Sequence, residues 1–382
     1  MKRLEIKLTL DVEKVEDINL EVLNLLNNNG YSCVKSKILN EEDVATTPDE
    51  FEYVIIDESF INEKLNVLSI CSFLEDKLKK EKEDRNIDID ISFKDELINM
   101  SKELVGTACI TKYLSNKNIV KIPNTINNIP VTTIGNMAFS GVDLKDIELP
   151  DTLIYIGSDS FNGANIIDEL TIPKNVRFID SYAFSYNQLN KLILFNNLLY
   201  IGNHAFIGNE IKSLIIPDSV KYIGRFAFQD NLLSSIKLSN SMEIISNDTF
   251  CCNELKEVII PNSVKYIEDN AFYFNEIVTV KLGNNVEYIG KDAFSNNSIE
   301  NLSLSQKLKY IMENAFLNNK IENIQIPASV DTLEFKAFYN NPIMNVIIPG
   351  HLIKQKEVAF SDEYSIGKFY NKKIYTKFVV IQ

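Results

Sequence analysis

The sequence predicts a repeat solenoid preceded by a smaller α+β domain, and three observations predict it. A phenylalanine returns eleven times, at Phe139, Phe161, Phe184, Phe206, Phe228, Phe250, Phe272, Phe294, Phe316, Phe338 and Phe360, at intervals of 22 residues with one of 23. An asparagine keeps the period of 22 without a break from Asn187 to Asn341. Residues 1–105 lack the period and hold 25 acidic and 14 basic side chains, so most of the chain's net charge of −14 sits there.

The first domain is expected to span residues 1–105. RLEIKLTLDV alternates as a strand, and DVEKVEDINLEVLNLLNNNGY reads as a helix with Val15, Ile18, Val22 and Leu25 on one face and Gly30 at its end. YSCVKSKIL and FEYVIIDE follow as strands, Ser59 caps a long helix through Leu65, Leu68 and Leu78, and NIDIDISF is a last strand. The order is βαββαβ, that of ferredoxin-like domains. A further helix over Lys94–Leu104 is expected to cap the first coil, since solenoid ends must be covered.

Residues 106–360 form the solenoid. In IKSLIIPDSVKYIGRFAFQDNL, residues 211–232, Leu214 and Ile216 alternate ahead of Pro217, which ends a short strand. Val220, Ile223, Ala227 and Phe228 complete the inward set. A single coil buries too little to fold alone, so eleven stack at about 4.8 Å each into a rod on the order of 50 Å long. The asparagine column is read as a structural ladder, whose amides satisfy turn backbone groups between coils. After Phe360, residues 361–382 are expected to form a capping hairpin turned at Asn371.

The recurring block xIxIPxSVxxIGxxAFxxN, seen in IIPNSVKYIEDNAFYFN and LPDTLIYIGSDSFNG, resembles the BspA-like leucine-rich-repeat family over residues 107–360. The resemblance implies a right-handed solenoid, adhesion or protein-binding roles at a cell surface, and no chemistry. Phe195, Ser239, Gly283 and Ser305 depart from the family's proline slot.

Composition narrows the function classes. The N-terminal residues have no apolar signal core and no stretch is long and apolar enough to span a bilayer, which leads to an expectation of a cytoplasmic protein, against the surface location that the resemblance implies. Five scattered cysteines do not suggest a disulfide framework, and Cys251 and Cys252 are read as free turn thiols. His204 and His351 are too remote to build a zinc site, and thirteen glycines form no phosphate loop. No catalytic residue, metal or cofactor is expected, and the acidic balance disfavours nucleic acid.

The candidate partner-binding residues form two columns. Ile193, Ile215 and Ile259 occupy outward strand slots beside Lys237 and Lys281, an apolar strip with a basic edge suited to an acidic protein surface. Tyr200, Tyr222, Tyr266, Tyr288 and Tyr310 recur before the second inward isoleucine, either as contact residues or as a self-stacking ladder. The expected protein is a monomeric, non-enzymatic recognition module using the strand face. The alternatives are an effector or enzyme whose activity lies in the N-terminal domain, and a glycan-binding adhesin using the tyrosines.

Overall fold

The computed structural model describes residues 44–45, 48–65, 94–360 and 377–381. Each repeat in it is one coil with two short strands, and each strand pairs in parallel with its counterpart one repeat away. Ser213–Ile215 pairs with Ser235–Lys237, and Tyr200–Ile201 with Tyr222–Ile223. Two faces of parallel strands result, each interrupted into shorter sheets: a first-strand face whose outward slots lie in solvent, and a second-strand face carrying the tyrosines.

The inward residues behave as their period demands. Leu214, Ile216, Val220, Ile223, Ala227 and Phe228 are all buried, while Ile215 between them points outward. The eleven phenylalanines form one continuous column of stacked rings, with centroids from 4.8 Å apart at Phe139–Phe161 to 5.9 Å at Phe228–Phe250. Tyr113 extends the column upstream at 5.3 Å from Phe139. Where the proline slot departs from type, the turn closes all the same: Val220 N donates to Pro217 O at 3.0 Å, and Leu198 N donates to Phe195 O at 3.2 Å.

The asparagine ladder has a defined geometry. Asn231 Nδ2 donates to the carbonyls of Phe206, Phe228 and Gln229 at 3.0, 3.3 and 3.3 Å, and its Oδ1 accepts from Ile211 N at 3.1 Å. One amide thus ties its own turn to the coil before it, and the same pattern runs from Asn187 to Asn341.

The turn beside the phenylalanine holds two left-handed residues per coil, with φ between 53° and 66°. Asn, Asp and Gly fill most of these slots, the types for which this conformation costs least. Tyr182, His204 and Phe226 occupy consecutive first slots, and Tyr186 and Phe274 stand in the second. For such side chains the left-handed state costs about 1–2 kcal/mol each.

Both ends are covered by strands. Val44–Ala45 pairs with Ile119–Val120 at the start of the first-strand sheet, and Phe51–Ile55 runs antiparallel to Ala108–Tyr113 at the start of the other. Lys377–Ile381 pairs in parallel with Asn345–Pro349 at the far end. Of the hairpin expected over 361–382, only Lys377–Ile381 is described, and it joins the sheet of the coils; residues 361–376, with the turn at Asn371, lie outside the described residues.

The N-terminal expectations change more. The expected strands and helix within residues 1–43, and NIDIDISF, lie outside the described residues. Residues 44–382 group as one compact unit, so the boundary expected at residue 105 is displaced to Asp43/Val44. The reason is pairing: Phe51–Ile55 hydrogen-bonds to the first coil and not to a separate sheet. The helix start at Glu58 is capped by Asp57, whose Oδ1 accepts from Phe60 N at 2.8 Å and from Ser59 Oγ at 2.7 Å; Ser59 supports the cap and is not the cap itself.

The helix Lys94–Leu104 forms over the expected residues but lies elsewhere. It does not close the first coil. Its Leu97, Met100 and Leu104 join one buried cluster with Tyr155, Phe178, Tyr200 and Tyr222 on the second-strand sheet. Two ion pairs set its position: Glu103 bridges Arg177 at 3.2 and 2.7 Å, and Glu96 meets Lys221 Nζ at 2.8 Å. The helix rises about 10.5 Å between those glutamates. Two coils advance about 9.6 Å, so the helix runs along the solenoid axis in step with the coils.

Candidate functional site: the first-strand face

The first-strand sheet presents its outward slots to solvent because each strand buries only its alternate residues. Ile215 and Ile259 are 66% and 57% exposed, two coils and about 10 Å apart. Lys237 and Lys281 are exposed beside them, in register one strand further on. Ile193 is only half-buried and marks the upstream end of the strip. Lys281 Nζ lies 2.7 Å from Glu257 Oε1, so much of its charge is balanced locally, in an exposed pair that contributes little to stability.

Two features extend the strip beyond the expected residues. Phe195 stands in the proline slot next to Ile193 and is 42% exposed. Its signal was present in the sequence as a departure from the repeat, since a large apolar residue at a solvent turn serves no inward packing. Downstream, a groove of about 790 Å³ opens along the same face, lined by Lys281, Asn301, Ser303, Lys320, Glu322 and Asn323. Counting coils by the phenylalanine each contains, from Phe139 as the first, the face therefore grades from apolar around coils four to seven to polar and mixed-charge around coils eight to ten.

The tyrosine column is not a surface. Tyr200, Tyr222, Tyr266 and Tyr288 are 5%, 1%, 1% and 3% exposed, and Tyr310 packs partly buried against the same cluster. Of the two roles read from the sequence, burial and stacking fit the ladder: Tyr200 and Tyr222 stack at 5.7 Å, and Tyr266 and Tyr288 at 4.1 Å. One physical reason is the helix described above, whose Leu97, Met100 and Leu104 share the buried cluster of the tyrosines. At the N-terminal end of the column, Tyr155 Oη lies 2.6 Å from Asp180 Oδ2, and burial raises the pKa of that carboxyl above its ordinary range.

Elsewhere, chemistry-bearing groups stay dispersed. The Cys251 and Cys252 sulfurs lie 3.1 Å apart as free thiols; the contact with Cys252, then burial, push the Cys251 thiol up. Among the described residues, no three His, Cys, Asp or Glu side chains converge as metal ligands. No described helix is long and apolar enough to cross a membrane.

His204 is stacked between Tyr182 at 4.3 Å and Phe226 at 4.7 Å, and its Nδ1 is buried with no hydrogen-bond partner among the described residues. Burial, and then the nearby Arg225, lower its pKa below the ordinary value of 6.5. A lowered folded-state pKa means that the unfolded chain binds more protons, so this group's contribution to stability falls as pH drops through the unfolded value. Acidification from about pH 7 to about pH 5 is expected to lower the melting temperature more for the wild type than for His204→Asn. Matched pH profiles of the two proteins by differential scanning calorimetry check this, and parallel profiles would refute it.

The match to a known family agrees with this architecture. A family model described as BspA type leucine rich repeat region matches in 6 copies, over residues 111–231, 179–299 and 287–378. No curated protein matches the sequence. Among solved structures, a leucine-rich repeat protein of T. pallidum is 25% identical, covering 46% of this chain and 78% of its own, with a TM-score of 0.37. One from Bacteroides ovatus is 20% identical over 72% of this chain and 96% of its own, with a TM-score of 0.35. A leucine-rich cell surface protein of Faecalibacterium prausnitzii is 18% identical over 68% and 92%, with a TM-score of 0.38.

Proposed function

The chain belongs to the BspA-type leucine-rich repeat family, and from that premise we propose that it is a non-enzymatic recognition protein that binds another protein along the first-strand face. The observation that carries the reading is the exposure of Ile215 and Ile259 at slots where folding requires no large apolar side chain. Together with Ile193, Phe195, Lys237 and Lys281 they make an apolar strip with a basic margin. Such a strip fits a partner segment that alternates apolar and acidic residues. The rigid spacing of the coils keeps the contact residues preorganised, so little entropy is lost on docking. The alternative of an effector or enzyme seated in the N-terminal domain, residues 1–105, falls largely outside the described residues, and the glycan reading loses its original tyrosines to burial.

Affinity capture from native cells and host extracts, with the full chain as bait, tests the reading. Ile215→Asp combined with Ile259→Asp is expected to remove the captured partner while the circular dichroism spectrum and the melting curve stay close to wild type. Exposed strand substitutions of this kind cost about 1 kcal/mol or less. A partner retained at wild-type yield by the double variant would rule out this face.

A further inference from the structure

We propose that the second left-handed column of the turn edge is a binding surface separate from the strand face, and that it takes a neutral oligosaccharide lying along the solenoid axis. The starting point is a pair of outliers. Gly208, Asp230 and Asn296 are the kinds of residue that the slot ordinarily takes, whereas Tyr186 and Phe274 hold φ of 54° and 54° against their steric preference. Neither ring is needed by the core, since they are 58% and 60% exposed. Strain kept at exposed aromatic positions points to a contact role.

The geometry gives the rings faces to offer. The Tyr186 side chain lies over bare Gly208 of the next coil: a Cβ there would stand 2.6 Å from Tyr186 Cδ1 and 3.0 Å from Cε1. The glycine thus lets the ring settle on the neighbouring coil, leaving its other side in solvent. Phe274 stands four coils away, about 19 Å along the axis, and tilts against Tyr273 at 6.0 Å. Gly208, Asp230 and Cys252 lie between them. Beyond Phe274 the column continues as amides, with Asn318 Nδ2 donating to Asn296 Oδ1 at 2.6 Å and Asn340 Nδ2 to Asn318 Oδ1 at 2.7 Å. Each amide in that chain keeps further hydrogen-bonding capacity for a ligand.

The class of ligand follows from what the column lacks. Its backbone is committed: Tyr186 N donates to Ile207 O at 2.8 Å, Gly208 N to Gln229 O at 3.0 Å and Phe274 N to Ser295 O at 3.1 Å, so no peptide can add as a strand. Its two exposed rings stand about 19 Å apart along the axis, too sparse for the apolar centre of a protein interface. Between Tyr186 and Asn340 the column holds no Lys or Arg, which disfavours phosphate polymers. A linear, uncharged chain with apolar ring faces and hydroxyl edges matches two spaced aromatic rings with a carboxylate between them and a line of amides beyond.

The test is binding of the full chain to an array of neutral hexose and N-acetylhexosamine oligomers, α- and β-linked, from disaccharide to hexasaccharide, with positives titrated by calorimetry. Tyr186→Gly with Phe274→Asn installs residue types that the slot already accepts, so melting temperature is expected to hold or rise. Affinity for the bound oligosaccharide is expected to fall about tenfold or more. The Ile215→Asp, Ile259→Asp variant is expected to bind the sugar as wild type does, which separates this surface from the strand face. A blank array, a sugar affinity unchanged in the Tyr186, Phe274 variant, or a loss of affinity accompanied by a lowered melting temperature would each overturn the proposal.

Discussion

Truncation of Phe228 to alanine is expected to lower stability by about 3–5 kcal/mol, the upper range for a buried aromatic. The ring is fully buried and stacked on Phe206 at 5.3 Å and on Phe250 at 5.9 Å. Its neighbours cannot move in to fill the space, because the coils are held apart by backbone bonds such as Phe206 N to Ala227 O at 2.9 Å and Phe228 N to Thr249 O at 3.0 Å. The missing volume therefore persists as a cavity, and the cavity contribution is retained in full. Because each coil contacts only its neighbours, damage at coil five also weakens the coupling between the two halves of the rod. Urea unfolding followed by circular dichroism should show the lost stability and a broadened or split transition. A loss below about 1 kcal/mol would mean that the column is looser than its ring spacing indicates.

The second large effect is expected at Asn231. Replacement by alanine leaves the buried Ile211 N without its acceptor and removes the donor shared by three turn carbonyls, of which Phe206 O and Phe228 O are bonded away from water. Each orphaned buried group costs about 1–3 kcal/mol, so a total of about 2–5 kcal/mol is expected, with Gln229 O relieved in part by Gly208 N at 3.0 Å. Hydrogen exchange gives a local readout, because the Ile211 amide should exchange much faster in the variant while amides several coils away slow or hold. Uniform acceleration along the whole rod would indicate global destabilisation and remove the ladder from its local role.

Sequence periodicity made some parts of this structure legible and hid others for one physical reason. A residue repeated in every coil must do what every coil needs, so Phe228 and Asn231 could be assigned to packing and to backbone hydrogen bonding before any coordinates. Ile215 was equally legible, because strand alternation alone decides that a residue between two buried neighbours points outward. The period left the tyrosines open between contact residues and a ladder, because their exposure depends on side chains that do not repeat. Nothing in the period announces that Leu97, Met100 and Leu104 will lie on Tyr155, Phe178, Tyr200 and Tyr222. The boundary expected at residue 105 failed likewise, since it followed the end of the repeat pattern whereas strand pairing continues back to Val44. Phe195, Tyr186 and Phe274 show the converse: departures from the repeat carried information that the repeat itself could not.

The helix over Lys94–Leu104 also bears on how such a chain can change length. Repeat genes grow and shrink by whole units, and most junctions between coils would tolerate one unit more. The interval from Arg177 to Lys221 would not. One duplicated unit there would carry Lys221 about 5 Å further along the axis, beyond Glu96, and would part the helix from one of its two anchors. A unit duplicated past Phe316 would leave both anchors where they are. Variation in coil number among relatives that keep this helix is thus expected to accumulate toward the C-terminal end, with the first five coils conserved as a fixed-length block.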